Sequence, residues 1–529
     1  MPAGSPPRIA RAASVVGGAT AVSRVLGFLR DMVIAQAFGV SAAADAFFVA
    51  FRIPNALREL LGEGALSAAF IPVYNEVLVR EGRPAAFRVA AAACRSLVII
   101  LCLIVLAGVL LAPLLVAVIA PGFTATPGKF ELTVALTRWL FPYILFVGLG
   151  ALLMGLLNSL GHFLTPALSP ALLNLAMIAA ALWLTPRLAE PVLALAYGVL
   201  LGGALQLLLQ FPVAAAYGLR LTEAAAPGER AVLGRMARLM GPATAGLAIT
   251  QVSLFVTTLL ASFLEEGAPS HLYYAFRLIH LPIGIVGVAM ATAAFPTMAA
   301  AAARNAPAEV RATLLTALRG ALYLTLPAMA GLIVLRVPIV HLLFERGAFG
   351  REATLAAADV LLAYAVGLAC YVGNRILAPA FYSFQDTRSP VRAAAVAVTA
   401  GTVLSVLLMR PLGAAGLALS TALTSALYSA LLLRGLSRRV GSPWEAAFSR
   451  FLGKVAGAAT LMGGLMALLL QRVDFLGLPG LPAKAAALGG GILLGGIVFL
   501  GATALFRVEE AQRLLRALRT ALAGPGRQA

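Results

Sequence analysis

Acidic residues are scarce in this 529-residue sequence: 21 Asp and Glu stand against 40 Lys and Arg, and charged residues of either sign make up only 12%. A soluble domain is about a quarter charged, so an ordinary solvated surface is excluded for most of the chain. Cysteine, histidine and tryptophan are equally sparse, at 3, 4 and 3. Cys94, Cys102 and Cys370 lie inside apolar segments, which argues against a disulfide framework. His162, His271, His280 and His341 are scattered without metal-ligand spacing. No GxxxxGK[ST] sequence occurs, so ATP is not expected to drive a cycle from this chain. Despite a net charge of +19 there is no basic stripe interleaved with aromatics, and no nucleic-acid partner is expected. The basic start MPAGSPPRIARAAS runs into a segment interrupted by Arg24 and Arg30, so no cleaved signal peptide is expected either.

What abounds is apolar length. Hydrophobic residues make up 61% of the chain and mean hydropathy is +0.95, more apolar surface than a soluble fold can hide. Runs near 20 residues, each long enough to cross about 30 Å of hydrocarbon as a helix, recur from end to end. Divided at polar and Gly/Pro breaks they number about fourteen, with Pro113, Pro327 and Pro338 read as kinks rather than ends. The expectation is an all-α polytopic membrane protein. Loops on the side of the N-terminus hold Arg80, Arg83, Arg88, Arg220, Arg230, Arg235, Arg238, Arg304, Arg311, Arg388, Arg392, Arg434, Arg438 and Arg439. The opposite loops hold little beyond Lys129, Arg187, Arg346, Arg351, Arg410, Arg472 and Lys484. The positive-inside rule then puts both termini in the cytoplasm.

An internal repeat organises these spans. Ala50-Phe51-Arg52-Ile53 with Phe70 and Pro72 corresponds to Ala275-Phe276-Arg277-Leu278 with Phe295 and Pro296. Asn158-Ser159 with Pro166 corresponds to Tyr382-Ser383 with Pro390. Both pairs are offset by about 225 residues, which spans an even number of helices, so the copies face the same way, as in transporters built from parallel repeats. Residues 1–225 and 226–440 are read as two six-helix halves and 441–507 as two extra helices, with Gly491-x-x-x-Gly495 allowing close approach. Residues 508–529 are read as a cytoplasmic amphipathic tail that lies on the lipid surface.

Ionisable residues concentrate where hydrocarbon should exclude them. The first span holds Ser23-Arg24-Val25-Leu26-Gly27-Phe28-Leu29-Arg30-Asp31, and the second holds Asp45, Arg52, Asn55, Arg58, Glu59 and Glu63. An Arg near a helix centre costs about 2.5–3.5 kcal/mol, so several together forfeit on the order of 10 kcal/mol unless they face water, partners or a ligand. One reading pairs Arg30 with Asp31, and Arg58 with Glu59 or Glu63, near helix ends. The other, which accounts for Arg24 far from either end, is a water-filled cationic cavity between the halves, to which Arg277 contributes as the repeat partner of Arg52. Guanidinium groups hold phosphate or carboxylate oxygens bidentately and stay protonated, so a diphosphate head group is a natural guest. The candidate substrate-binding residues are Ser23, Arg24, Arg30, Asp31, Asp45, Arg52, Asn55, Arg58, Glu63 and Arg277.

The same residues carry a resemblance. Ser23-Arg24-Val25-Leu26-Gly27 with Arg30-Asp31, Asp45-Ala46-Phe47-Phe48-Val49-Ala50-Phe51, Pro54-Asn55, Glu63-Gly64-Ala65, Tyr273-Tyr274-Ala275 with Arg277, and Phe381-Tyr382-Ser383 with Gln385-Asp386 are similar to motifs of the MurJ (MviN) lipid II flippases. The resemblance implies the fold of the multidrug/oligosaccharidyl-lipid/polysaccharide (MOP) exporters and export of the undecaprenyl-diphosphate-linked precursor lipid II across a bacterial inner membrane by alternating access. It implies a transporter rather than an enzyme, without a cofactor, with lipid II and membrane lipids as partners; whether cell-wall synthases also dock stays open. It further implies that Arg24, Arg30, Arg58, Arg277 and Asp45 line the central cavity, and that the last two helices form a groove for the polyprenyl tail. The sequence departs from the family at Phe276 and His280, where some relatives carry acids, so a coupling role for those acids does not carry over. Coupling to the membrane potential, to Na+ or to H+ stays open: Asp31, Asp45, Asp359 and Asn374 offer oxygen ligands without defining a site. A flippase for another polyprenyl-diphosphate oligosaccharide is the second reading. A membrane glycosyltransferase or polymerase acting on the same lipid is the third, and it would need an acid/base or metal constellation in a sizeable outer loop.

Overall fold

Proline, glycine and alanine decide where this apolar chain bends and how closely its helices approach. The computed structural model describes residues 6–59, 66–221, 229–442 and 445–513, and side chains there except at 6–15, 67–68, 229–230 and 241–250. Every regular element among the described residues is helical, the form in which a backbone satisfies its own polar groups in lipid. The chain divides into two compact units, one of residues 1–270 with 346–349, the other of residues 271–345 and 350 onward.

The first unit contains α1 (Pro6–Phe38), α2 (Ala42–Arg58), α3 (Leu66–Arg80), α4 (Gly82–Leu110), α5 (Ala112–Ile119), α6 (Lys129–Leu140), α7 (Tyr143–Ser159), α8 (Leu164–Trp183), α9 (Leu193–Ala216) and α10 (Glu229–Ala261). Ser41 starts α2 by accepting the Ala44 N–H on its hydroxyl at 3.2 Å. The core between α3, α4 and α7 is built from Phe70, Tyr74, Phe87, Leu101, Leu152 and Leu156. Buried alanines at 85, 86 and 90–93 let the other helices close on α4. On α9, a Cβ at Gly198 or Gly202 would stand 2.8 Å from Ala180 or 2.7 Å from Leu173, so glycine is what allows the tight α8–α9 contact. The other face of α4 exposes Ile99, Leu103, Leu106 and Leu110, as a lipid-facing surface should. The repeat suggests a division near residue 225, whereas α10 packs on α3, α4 and α5 and so belongs to the first unit.

The second unit holds α11 (Ala268–Pro282), whose first turn to Ser270 belongs to the first unit, then α12 (Val288–Ala303), α13 (Pro307–Val334), α14 (Arg336–Phe344), α15 (Arg351–Ala365), α16 (Leu368–Ser383), α17 (Arg388–Val440), α18 (Ala446–Arg472) and α19 (Gly480–Leu505). A π turn at Ile283–Gly287 joins α11 to α12. The 53 residues of α17 are two helices folded back at Gly413, whose φ of 55° and ψ of −135° are not helical. Pairing of the two arms follows: Ser405 Oγ lies 2.6 Å from Ser420 Oγ, and Gly401 meets Thr424. The terminal hairpin docks through Tyr323 of α13, whose hydroxyl lies 3.1 Å from Thr503 Oγ1 of α19.

Among the described residues nine helical segments are long and apolar enough to cross a membrane, or ten when α15 and α16, bent by 43°, are taken as one span. This is fewer than the roughly fourteen read from hydropathy. Segment α17 counts once although it folds into two arms. Helices α1 and α2, which hold Arg24, Arg30, Asp31, Asp45, Arg52 and Arg58, are not among the nine, and residues 60–65 between α2 and α3 lie outside the described residues.

Candidate functional site

Arg24 and Arg30 lie six residues apart on α1 and meet different surroundings. Arg30 is buried. Its Nε and Nη2 donate to Asp31 Oδ1 at 3.0 and 2.6 Å, and its Nη1 donates to Asn174 Oδ1 of α8 at 3.0 Å. Asn174 Nδ2 in turn donates to the Ser23 carbonyl at 3.0 Å. The result is a polar clasp between α1 and α8, with charge-assisted bonds offsetting the desolvation of a buried ion pair. Arg24, one residue beyond that carbonyl, is exposed and makes no hydrogen bond or ion pair with a described residue. Asn174, an isolated amide in an apolar helix, was the signal of the clasp that spacing alone does not reveal.

Asp45 sits at the start of α2, fully buried. Its carboxylate accepts from Lys129 Nζ at 2.8 Å, from the Gly267 N–H at 2.7 Å, and from the Ser270 N–H and hydroxyl at 3.0 and 2.6 Å. Lys129, expected as an outer-loop charge, is buried with its ammonium 4.2 Å from the Phe123 ring centroid. Glu266 adds a second tie by accepting the Ala42 N–H at 2.7 Å. Four donors occupy the Asp45 oxygens, so in this conformation the carboxylate ties α2 and α6 to the first turn of α11 and presents nothing to a ligand.

Farther along α2, Asn55 Nδ2 donates to Glu59 Oε1 at 3.0 Å and Arg58 Nε donates to Asn55 Oδ1 at 3.1 Å. Arg58 stands 3.8 Å from Glu59, and Gln251 of α10 donates to Glu59 Oε2 at 2.7 Å. Arg52 is half-buried. Glu63 lies outside the described residues. The first unit therefore brings together Ser23, Arg30 and Asp31 in one cluster and Asn55 and Arg58 in another, with Asp45 in a third.

In the second unit, half-buried Arg277 lies 5.4 Å from the Tyr273 ring centroid and donates to its hydroxyl at 3.1 Å. The substituted positions beside it form an aromatic group: Phe276 packs edge-on to His280 at 4.4 Å and against Tyr364 at 5.4 Å. Of the oxygen ligands considered for a cation, Asn374 accepts from Ser429 at 2.8 Å within the α16–α17 seam, and Asp359 stands 4.0 Å from Arg336. A cavity of about 380 Å³ is lined by Pro307, Arg311, Leu315, Arg439 and Glu445. Arg311 is bound to Glu445 and Arg439 to Asp386, so the two cations of this cavity are already neutralised.

Comparison with known proteins decides the family. The profile described as "Lipid II flippase MurJ" matches residues 34–500. The chain belongs to the MurJ family. It is similar to the lipid II flippase MurJ of Burkholderia cenocepacia, with 37% identity over 90% of this chain and 93% of that one, and to the probable lipid II flippase MurJ of Vibrio cholerae, with 35% identity over 87% and 89%. Among solved structures, MurJ in an inward closed conformation matches with a TM-score of 0.77 and 24% identity over 93% of this chain and 98% of that one. An inward-facing MATE transporter of the MOP superfamily matches with a TM-score of 0.68 and 15% identity over 81% and 96%. The MurJ and MATE likenesses place this all-helical membrane chain in the MOP fold, as its motifs suggest.

Proposed function

We propose that this chain is a lipid II flippase that carries the undecaprenyl-diphosphate-linked precursor from the inner to the outer leaflet of a bacterial inner membrane by alternating access. Membership of the MurJ family supports the substrate, and the observation that carries the chemistry is Arg24: an exposed guanidinium without a described partner, on a helix of a membrane protein. Such a group is affordable only beside water or an anion. Phosphate oxygens match its fork, which favours an anionic head group over the organic cations that an acidic cavity would select. Arg277 offers a second cation, oriented by Tyr273. The Asp45 tie holds the start of α11 in one position, and exchanging its four donors for water is the local event that would free it. Both termini are assigned to the cytoplasm, on the basis of the loop cations.

Nothing in this scheme asks the chain to break a covalent bond, so it acts as a transporter. A head group bearing two negative charges leaving a negative interior gains about 4.6 kcal/mol per 100 mV, so the membrane potential supplies a drive, with Na+ or H+ coupling as the alternatives. The test is leaflet-resolved lipid II in cells depleted of this chain, read by cleavage from outside only. Loss of cleavable lipid II while the total rises, rescued by wild type but not by Arg24→Ala, is expected. Unchanged exposure, in cells without a second flippase, would transfer the reading to another polyprenyl-diphosphate oligosaccharide.

A further inference from the structure

Arg375 is an intramembrane cation that belongs to none of the clusters above. Arg375 lies within α16, eight residues from the end of the helix at Ser383, or about 12 Å in at 1.5 Å per residue. It is exposed and makes no hydrogen bond or ion pair with a described residue. Its neighbours Val372, Ile376 and Leu377 are buried at 0%, 0% and 2% exposure, and Asn374 is sealed against Ser425 and Ser429. The packed sides of α16 are thus spoken for, and the guanidinium projects from the remaining one. Toward lipid it would carry the insertion penalty of an unpaired cation with nothing to offset it. Toward water it costs little.

The side chain lies beside an irregular turn of the neighbouring helix. Its stem lies against Gly287, where a Cβ would meet Arg375 Cγ at 3.4 Å and Cβ at 3.5 Å. Gly287 closes the π turn Ile283–Gly287, near the middle of the continuous run Ala268–Ala303. Single π turns inside α-helices occur frequently at functional sites. Arg277 stands ten residues earlier on the same run, about 15 Å along the axis. The two cations therefore mark different depths of one unit, with Arg375 on the side of the α12–α13 connection.

We propose that Arg375 is a substrate-contacting residue, taking a phosphate or carboxylate oxygen of the lipid-linked head group at a station about 15 Å from Arg277. The inference rests on the flippase reading. With the α12–α13 connection cytoplasmic, a head group moving outward meets Arg375 first and Arg277 second.

Water access is tested first, with Arg375→Cys in a full-length chain whose Cys94, Cys102 and Cys370 are replaced by alanine. A membrane-impermeant thiol reagent should label it; failure to label from either side would mean that the side chain faces lipid and would overturn the proposal. Binding is tested on purified Arg375→Gln and Arg375→Lys with lipid II and with undecaprenyl diphosphate. Arg375→Gln should weaken lipid II binding about tenfold, the loss of a charge-assisted hydrogen bond, and Arg375→Lys should weaken it less. Equal weakening for undecaprenyl diphosphate assigns a phosphate oxygen, and weakening for lipid II alone assigns a carboxylate of the head group. Wild-type affinity of Arg375→Gln for both lipids, with weakened binding by Arg24→Ala, overturns this inference and leaves the flippase reading standing. Wild-type affinity in Arg24→Ala and Arg277→Ala as well removes the reading on which it rests.

Discussion

Arg24 and Arg30 are the same residue type on the same helix, and the contrast between them separates two uses of charge inside a membrane. Arg30 has Asp31 and Asn174 on its guanidinium and is buried; Arg24 is exposed and has no described partner. Lys129 repeats the first case and Arg375 the second. The expense of inserting a cation is similar in all four positions, so expense alone does not mark a binding residue. What distinguishes them is whether the fold already supplies the counter-charge. A paired cation should control stability, and an unpaired one should control transport.

The sharpest way to break this comparison is the Asp45–Lys129 pair. Asp45→Asn leaves a buried ammonium without its carboxylate, and breaking one side of a buried pair costs about 3–5 kcal/mol. Thermal unfolding in detergent should fall accordingly, and Asp45→Asn combined with Lys129→Met should recover part of the loss, because neither charge is then left alone. If Asp45→Asn were as stable as wild type, the tie would be dispensable and its four donors incidental.

Arg24→Ala should do the reverse. Flipping in proteoliposomes should drop about a hundredfold, equivalent to about 2.7 kcal/mol, with the unfolding midpoint unchanged or raised, since no packed contact is lost. A stability loss without a transport defect would place Arg24 with Arg30 and erase the distinction. A smaller effect belongs to Asn174→Ala, which removes one acceptor from Arg30 and the donor to the Ser23 carbonyl. A destabilisation of about 1–3 kcal/mol is expected, with flipping per folded molecule retained.

Much of this division is legible in the amino-acid sequence. Apolar runs give the all-helical membrane class, whereas the fold-back of α17 at Gly413 is a feature of the structure alone. The pairings of Arg30 with Asp31 and of Arg58 with Glu59 are legible because the partners are neighbours in sequence. The Asp45–Lys129 pair is not, since 84 residues separate them and a lysine between two apolar runs reads as a loop charge. Asn174 and Gln251 were missed for a related reason: single amides in apolar helices have no spacing to announce their partners. The assignment of α10 to the first unit was hidden too, because repeats record ancestry of segments, whereas packing of α10 on α3, α4 and α5 depends on surfaces that only meet in three dimensions.

The smallest expected effect lies outside the membrane-spanning segments and tests whether a paired charge there behaves as Arg30 does. Asp386, in the turn after α16, accepts from the Ser389 N–H and hydroxyl at 2.9 and 2.6 Å and is paired with Arg439, whose guanidinium lies 5.7 and 5.8 Å from the Phe381 and Phe384 ring centroids. The two Ser389 bonds, and to a lesser degree Arg439, hold the Asp386 carboxyl below the usual carboxylate range against the opposing effect of burial. A carboxylate depressed in the folded state contributes stability above its unfolded value of about 4, and that contribution disappears as pH falls through the folded value. The site is close to solvent, so water screens it and a difference of about 0–1 kcal/mol is expected. Wild type and Asp386→Asn should therefore differ slightly in unfolding midpoint at pH 7 and converge as pH drops below about 4. Parallel curves down to pH 2.5 would mean that the carboxylate charge adds nothing to this turn, and that the rule drawn from Arg30 holds only where the pair is buried.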